Sequence, residues 1–268
     1  MFSKQEILKR NNVTVIGEGK KTLMLAHGFG CDQNMWRFMT PLLTSEYKVV
    51  LFDYVGSGKS DISHYDKQHY SILEGYAQDV VDICQALDLQ DAIFVGHSVS
   101  SIIGALASIQ SPESFCKLIM VCPSPCFLNV PPDYNGGFDR EDLEELLNIM
   151  DKNYIGWADY LAPLVMGSNN STELITELST SFCSTDPVIA KNFAKATFFS
   201  DYRHILKNLK HPCLILQSNN DALAAIEVGE YMCNQIVNSE LQIVNAEGHC
   251  LHMTAPEDIA TYITEFTQ

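Results

Sequence analysis

Cations are scarce in this chain. Against 33 Asp and Glu, the 268 residues carry only 17 Lys and Arg, a formal net charge of -16 with the histidines neutral. Phosphate backbones and anionic membrane surfaces attract clustered cations, so nucleic acid and membrane are excluded as expected partners. Long apolar runs are missing too. No stretch reaches the roughly 18 residues of a spanning helix, and no apolar core of signal-peptide length follows Met-Phe-Ser-Lys-Gln. The expectation is a soluble, cytoplasmic protein. H-E-x-x-H and C-x-x-C pairs are absent, which removes the commonest zinc and redox signatures. The nine cysteines, an odd number, are scattered singly along apolar segments, as at Cys84 and Cys213, and read as small buried hydrophobes. Cys122 and Cys126 could pair or hold a metal, but spaced histidines are lacking nearby. A phosphate-binding loop is missing as well, because G-x-x-x-x-G-K-[ST] needs glycine where Asp53 precedes Tyr54-Val55-Gly56-Ser57-Gly58-Lys59-Ser60. No cofactor and no metal is implied.

What is there is an alternation of strands and helices. Short apolar runs at Val13–Gly17, Thr22–His27, Tyr47–Asp53, Ala92–His97, Lys117–Cys122, Cys213–Ser218 and Glu240–Val244 read as strands. The first two, joined by Glu18-Gly19-Lys20-Lys21, look like a hairpin. Between later strands lie helix-length segments, among them Ile72, Tyr76, Val80, Ile83 and Leu87 at steps of three and four. That order predicts a mostly parallel α/β sheet, with ligands beyond the carboxyl ends of its strands. The alternation stops between about Phe127 and Asp201, where the pattern is helical throughout and rich in aromatics. Asp139 and Asp186-Pro187 mark helix starts there. The reading is one core, residues 1–126 and 202–268, with a helical lid inserted over residues 127–201.

Gly96-His97-Ser98-Val99-Ser100 ends the strand Ala92–His97 and opens the helix-like Ile102–Gln110. A small-x-Ser-x-small turn of this kind presents one hydroxyl at a sharp bend, the nucleophile elbow; an ordinary polar turn is the other reading. A serine needs a base to be a useful nucleophile, and the base needs an orienting group. Asp221 follows one strand and His249 the next, so the order Ser98, Asp221, His249 is that of an α/β-hydrolase triad. Alone, Asp221 reads equally as a turn residue and His249 as a packed loop histidine, with His252 a rival base. His97 and His27 flank the site as supporting residues. His27-Gly28-Phe29-Gly30 leaves a strand end in a form that suits a developing oxyanion. A change at Ser100 is expected to matter little.

The stretch His27 to Trp36, the Gly-His-Ser-Val-Ser elbow, Ser124 to Asn129 with Gly136-Gly137-Phe138, and Gly248-His249-Cys250 resemble the RsbQ-like α/β hydrolases of the sigma-B energy-stress pathway, a group related to plant karrikin and strigolactone receptors. The resemblance implies nucleophile Ser98, acid Asp221 and base His249. It also implies an oxyanion hole from the backbone N–H groups of Phe29 and Val99, and a four-helix lid over an apolar pocket. Phe127 and Phe198 fall where the group has pocket aromatics, and Phe29, His97, Phe138, Trp157 and Leu223 complete the expected lining. A partner is implied too, a PAS-containing protein phosphatase. Function is expected to be hydrolysis of a small apolar ester or lactone-like compound through an acyl-serine. The alternative is a ligand-sensing signalling protein in which hydrolysis is slow and secondary. A carbon–carbon hydrolase is a weaker option, and a dehalogenase would need an acid at position 98.

Overall fold

Residues 2–268 are described by a computed structural model. Seven strands, β1 (Thr14–Ile16), β2 (Lys21–Ala26), β3 (Tyr47–Leu51), β4 (Ala92–His97), β5 (Phe115–Val121), β6 (Cys213–Asn220) and β7 (Ser239–Glu247), form one sheet in the order β1-β3-β2-β4-β5-β6-β7. Every pairing is parallel except that of β1 with β3. A strand covered on both sides must be apolar on both, which is why β2 to β6 are near-continuous apolar runs and not alternating ones. In β2, Leu23 and Leu25 enter one core while Met24 and Ala26 enter the other.

Helices α1 (Lys4–Arg10), α2 (Thr40–Leu43), α3 (Leu73–Ala86) and α4 (Val99–Gln110) come from the first half of the chain. Tyr76, Val80 and Ile83 of α3 and Ile102, Ile103 and Leu106 of α4 cover one face. Ile72, expected on that stripe, is instead the exposed residue before α3. The other face is covered by Leu43 of α2, Leu251 of α10 (Leu251–Thr254), and Ile259 and Ile263 of α11 (Pro256–Thr267). Between them, α9 (Ile226–Gln235) connects β6 to β7.

Two expectations are corrected. The first two strands are not a hairpin: β1 pairs with β3, with Thr14 opposite Leu51 and Ile16 opposite Val49. Five consecutive buried residues in β2 require a central place, where β3 and β4 take both its edges, and the mostly exposed β1 is left at the rim. Nor is 127–201 helical throughout. Its first dozen residues form a loop bridged at Leu128–Phe138 and Val130–Tyr134, because Pro131-Pro132 lacks amide donors and Gly136-Gly137 disfavours helix. Four helices follow: α5 (Arg140–Lys152), α6 (Tyr154–Met166), α7 (Thr172–Ser184) and α8 (Pro187–Phe198). They enclose a third core with Trp157, Leu161, Leu178, Phe182 and Phe198, which reaches down to Cys31 and Met35 in the segment that leaves the carboxyl end of β2. None of the helices among the described residues is long and apolar enough to cross a membrane.

Candidate active site

Ser98 stands alone between the last residue of β4 and the first of α4, at φ 56° and ψ -123°. A non-glycine residue there is strained, and the strain holds the hydroxyl above the strand end. Gly96 makes the bend possible, since a Cβ on it would lie 2.5 Å from the Ser100 carbonyl oxygen. The Ser98 N–H is tied to the Val121 carbonyl of the neighbouring strand at 2.8 Å.

Two further strands bring the remaining groups. Ser98 Oγ donates to His249 Nε2 at 2.7 Å, and His249 Nδ1 donates to Asp221 Oδ2 at 2.7 Å. An ionised carboxylate only accepts, so it fixes the proton on Nδ1 and leaves Nε2 free to accept from the serine. The other oxygen, Asp221 Oδ1, accepts from the N–H groups of Leu223 and Ala224 at 2.8 and 3.2 Å. Both side chains are sealed from solvent, His249 2% and Asp221 0% exposed.

The remaining histidines are differently employed. His97 Nε2 donates to the His249 carbonyl at 2.9 Å, which steadies His249 through its backbone. Burial holds His97 well below the usual histidine range, helped by repulsion from His252 and His249. His252 packs between Trp36 and His97, with ring centroids 4.5 and 4.4 Å away, and burial lowers it to about 3. Neither of its nitrogens has a partner among the described residues, so it is a core side chain outside the Ser98 chain of hydrogen bonds.

The loop after β2 is held by its carbonyls. His27 O accepts from Ser100 Oγ at 2.5 Å, Gly28 O from His27 Nδ1 at 2.9 Å, Phe29 O from Cys31 Sγ at 3.2 Å, and Gly30 O from Ser181 Oγ of α7 at 2.9 Å. The Tyr54 N–H donates to His27 Nε2 at 3.3 Å, consistent with a proton on Nδ1. Ser100 therefore does more than keep the elbow small, contrary to expectation, for it also receives the Tyr54 hydroxyl at 2.9 Å. Sequence reading missed this because a hydroxyl at that position looks like a steric substitute for glycine. Among the described residues, the N–H groups of Phe29 and Val99 have no acceptor.

Above Ser98 lies a cavity of about 20 Å³, room for one water molecule. Phe29, His97, Phe198 and Leu223 line it, with Leu161, Val165, Leu178 and Phe182 from the helices above. Three residues expected in the lining are elsewhere. Trp157 stands behind Phe29 and Phe182, filling the space between α6 and α7. Phe127 packs edge-on against the back of Phe198 at 5.1 Å. Phe138 faces a separate outer groove of about 510 Å³, bounded by α5, α6 and Leu223.

Cys122, at φ 49°, presents its sulfur beside Asp221: Cys122 Sγ, an Asp221 oxygen and a His249 nitrogen all lie within 4.8 Å of one another. These are metal-ligating atom types, but Asp221 and His249 already engage each other, and burial with the adjacent carboxylate pushes the thiol well up, against thiolate formation. All nine cysteines are free. In the phosphate-loop lookalike, the Asp53 carboxylate accepts from Gln33 N, Lys59 N and Asn12 Nδ2 at 2.7 to 2.9 Å, so it pins the loop at Lys59 to two other segments of the chain.

Residues 21–256 match the alpha/beta hydrolase fold family. The chain is an α/β hydrolase. This hydrolase is 40% identical over 248 residues to the karrikin insensitive 2 receptor CA of Petunia hybrida, covering 92% of each chain. It is 35% identical to the strigolactone esterase D14 of Arabidopsis thaliana over 98% of both. A solved hydrolase from Oleispira antarctica shares 58% identity and a TM-score of 0.97, over 99% of this chain and 97% of that one.

Proposed function

We propose that this α/β hydrolase cleaves small, neutral, largely apolar esters or lactones through an acyl intermediate on Ser98. The observation that carries the reading is the unbroken chain from Ser98 Oγ through His249 to Asp221, at 2.7 Å on both links, beneath an apolar cavity. His249 takes the Ser98 proton as the hydroxyl attacks the carbonyl carbon, then returns it to the leaving alcohol. Asp221 keeps the imidazole in the useful tautomer. The unpartnered N–H groups of Phe29 and Val99 receive the tetrahedral oxyanion. Water then repeats the sequence on the acyl-serine. Mass spectrometry of the protein after exposure to short aryl esters, with Ser98→Ala alongside, tests this: an acyl adduct on Ser98 is expected, and an adduct elsewhere, or turnover that survives in Ser98→Ala, overturns it.

A sensing role is supported by a second observation. The exposed side of α5 carries Glu141, Asp142, Glu144 and Glu145, none in a salt bridge among the described residues, while Leu143, Leu147 and Met150 face inward. The resemblance to RsbQ-like proteins suggests a PAS-containing phosphatase as the partner for that face, in a stress response. The receptor name of the Petunia relative points the same way. Glu141→Lys with Glu144→Lys should then abolish capture of the phosphatase while leaving ester hydrolysis intact. Rapid turnover with no ligand-dependent capture in any form would leave a plain esterase.

A further inference from the structure

An oxyanion hole works only if its donors are fixed before charge develops. In this protein the loop that carries the Phe29 N–H has four successive carbonyls tied down, and three of the donors, Ser100, His27 and Cys31, belong to the body of the protein or to the loop itself. The fourth is different. Ser181 belongs to α7, and its hydroxyl crosses 151 positions of sequence to hold Gly30 O. The next residue closes the same joint: Phe182 lies so near that a Cβ on Gly30 would be 2.3 Å from its ring, and it also packs against Phe29 at 6.2 Å.

Gly30 sits at φ 70°, and with no Cβ it can leave that conformation as readily as it adopts it, so this joint depends on its external clamp. The cavity below holds about 20 Å³, and its roof is Leu161 and Val165 of α6, Leu178 and Phe182 of α7, and Phe198 of α8. No ester fits that volume, so the roof must lift to admit one. If α7 takes part, Ser181 leaves Gly30 as it lifts, and the hole is rebuilt when the helix reseats.

We infer that Ser181 is a positioning residue for the oxyanion hole, through which the seating of α7 and the competence of the site become one event. The inference rests on the serine-hydrolase reading above. Substrate admitted to the raised state then meets an unassembled hole, and the chemistry waits for closure, which also excludes water.

Ser181→Thr and Ser181→Val test it, because they match in shape and differ only in the hydroxyl. Each is compared with wild type for hydrolysis of a short-chain aryl ester, for inhibition by an aryl trifluoromethyl ketone, and for inhibition by the matching methyl ketone. The first inhibitor forms a tetrahedral oxyanion on the serine, whereas the second occupies the cavity without one. Ser181→Val is expected to lose roughly tenfold in kcat with little change in KM, a tenth or so of the loss from misplacing a reacting group outright. It should lose trifluoromethyl ketone affinity by the same factor and keep methyl ketone affinity, and Ser181→Thr should recover most of both losses. Equal weakening of the two ketones, or no difference between Val and Thr, overturns the inference, and thermal melting of each variant shows whether the fold is intact. Ser98→Ala runs alongside: if it hydrolyses ester and binds the trifluoromethyl ketone as wild type does, the serine-hydrolase reading fails first.

Discussion

At the scale of single residues, the hydrogen-bond chain makes Ser98 and His249 interdependent. Ser98→Ala should lower hydrolysis of a short aryl ester by roughly 10⁴-fold or more with the fold retained, because members of such a unit fail together. A variant with a tenth of wild-type activity would remove Ser98 from the chemistry. Removing His249 should cost a similar factor. His252→Ala should cost far less in turnover, since its ring has no polar partner, but it leaves a gap beside Trp36 and should lower the melting temperature. Ser98, Asp221 and His249 could be picked out in the sequence because each ends an apolar run, and a strand end is a place that the pattern marks. Ser181 could not be, for nothing in Ser-Thr-Ser-Phe-Cys hints at a carbonyl 151 positions away. Likewise the aromatic wealth of 127–201 was visible, but whether a ring lines the cavity or stands behind one that does, as with Trp157 and Phe29, depends on packing alone.

At the scale of elements, local signals and long-range pairing part company. The start of α8 was written in Asp186-Pro187: the Asp186 carboxylate accepts from the N–H groups of Val188 and Ile189 at 2.8 and 3.3 Å, and proline fills the first helical position, where no amide is needed. Asp186→Ala should destabilise the protein by about 0.5–2 kcal/mol, read as a lower urea midpoint with an unchanged slope. A wild-type midpoint would mean that α8 is held by its buried face alone. The partner of β1 was not written locally. Its sequence neighbour is the likelier mate for an isolated pair, but burial on both faces draws β2 inward and sends β1 to the rim.

At the scale of the whole molecule, the buried histidines tie stability to pH. Burial lowers His27, His97 and His252 in the folded state, whereas an unfolded chain takes up protons near the ordinary value of about 6.5. Between that value and the lower folded one, the unfolded state binds more protons. Stability is therefore fully present above about pH 6.5 and drains as pH falls, each histidine adding up to about 1.4 kcal/mol per pH unit. Asp79 opposes them. Burial raises it despite Arg10 at 3.2 Å, so the folded state holds its proton to higher pH than the unfolded chain does. Three groups against one should give urea midpoints that fall from pH 7 to pH 5, and His252→Leu should remove about a third of the histidine slope. An unchanged midpoint across that range would show that these rings are not held neutral.

The wide spacing of the three groups along the chain has a meaning for the protein's birth. Ser98 precedes His249 by 151 positions, and Asp221 lies only 28 before that histidine. At roughly 5–20 residues per second, a ribosome spends on the order of 8–30 s between making Ser98 and making His249. On the proposed mechanism, Ser98 has no partner to take its proton through that interval, and acylation of the half-built chain by compounds it meets is expected to be slow. The mechanism proposed for Ser98 is then complete only with the last two strands, and arrested chains ending before Asp221 should ignore a serine-directed probe that labels the finished protein.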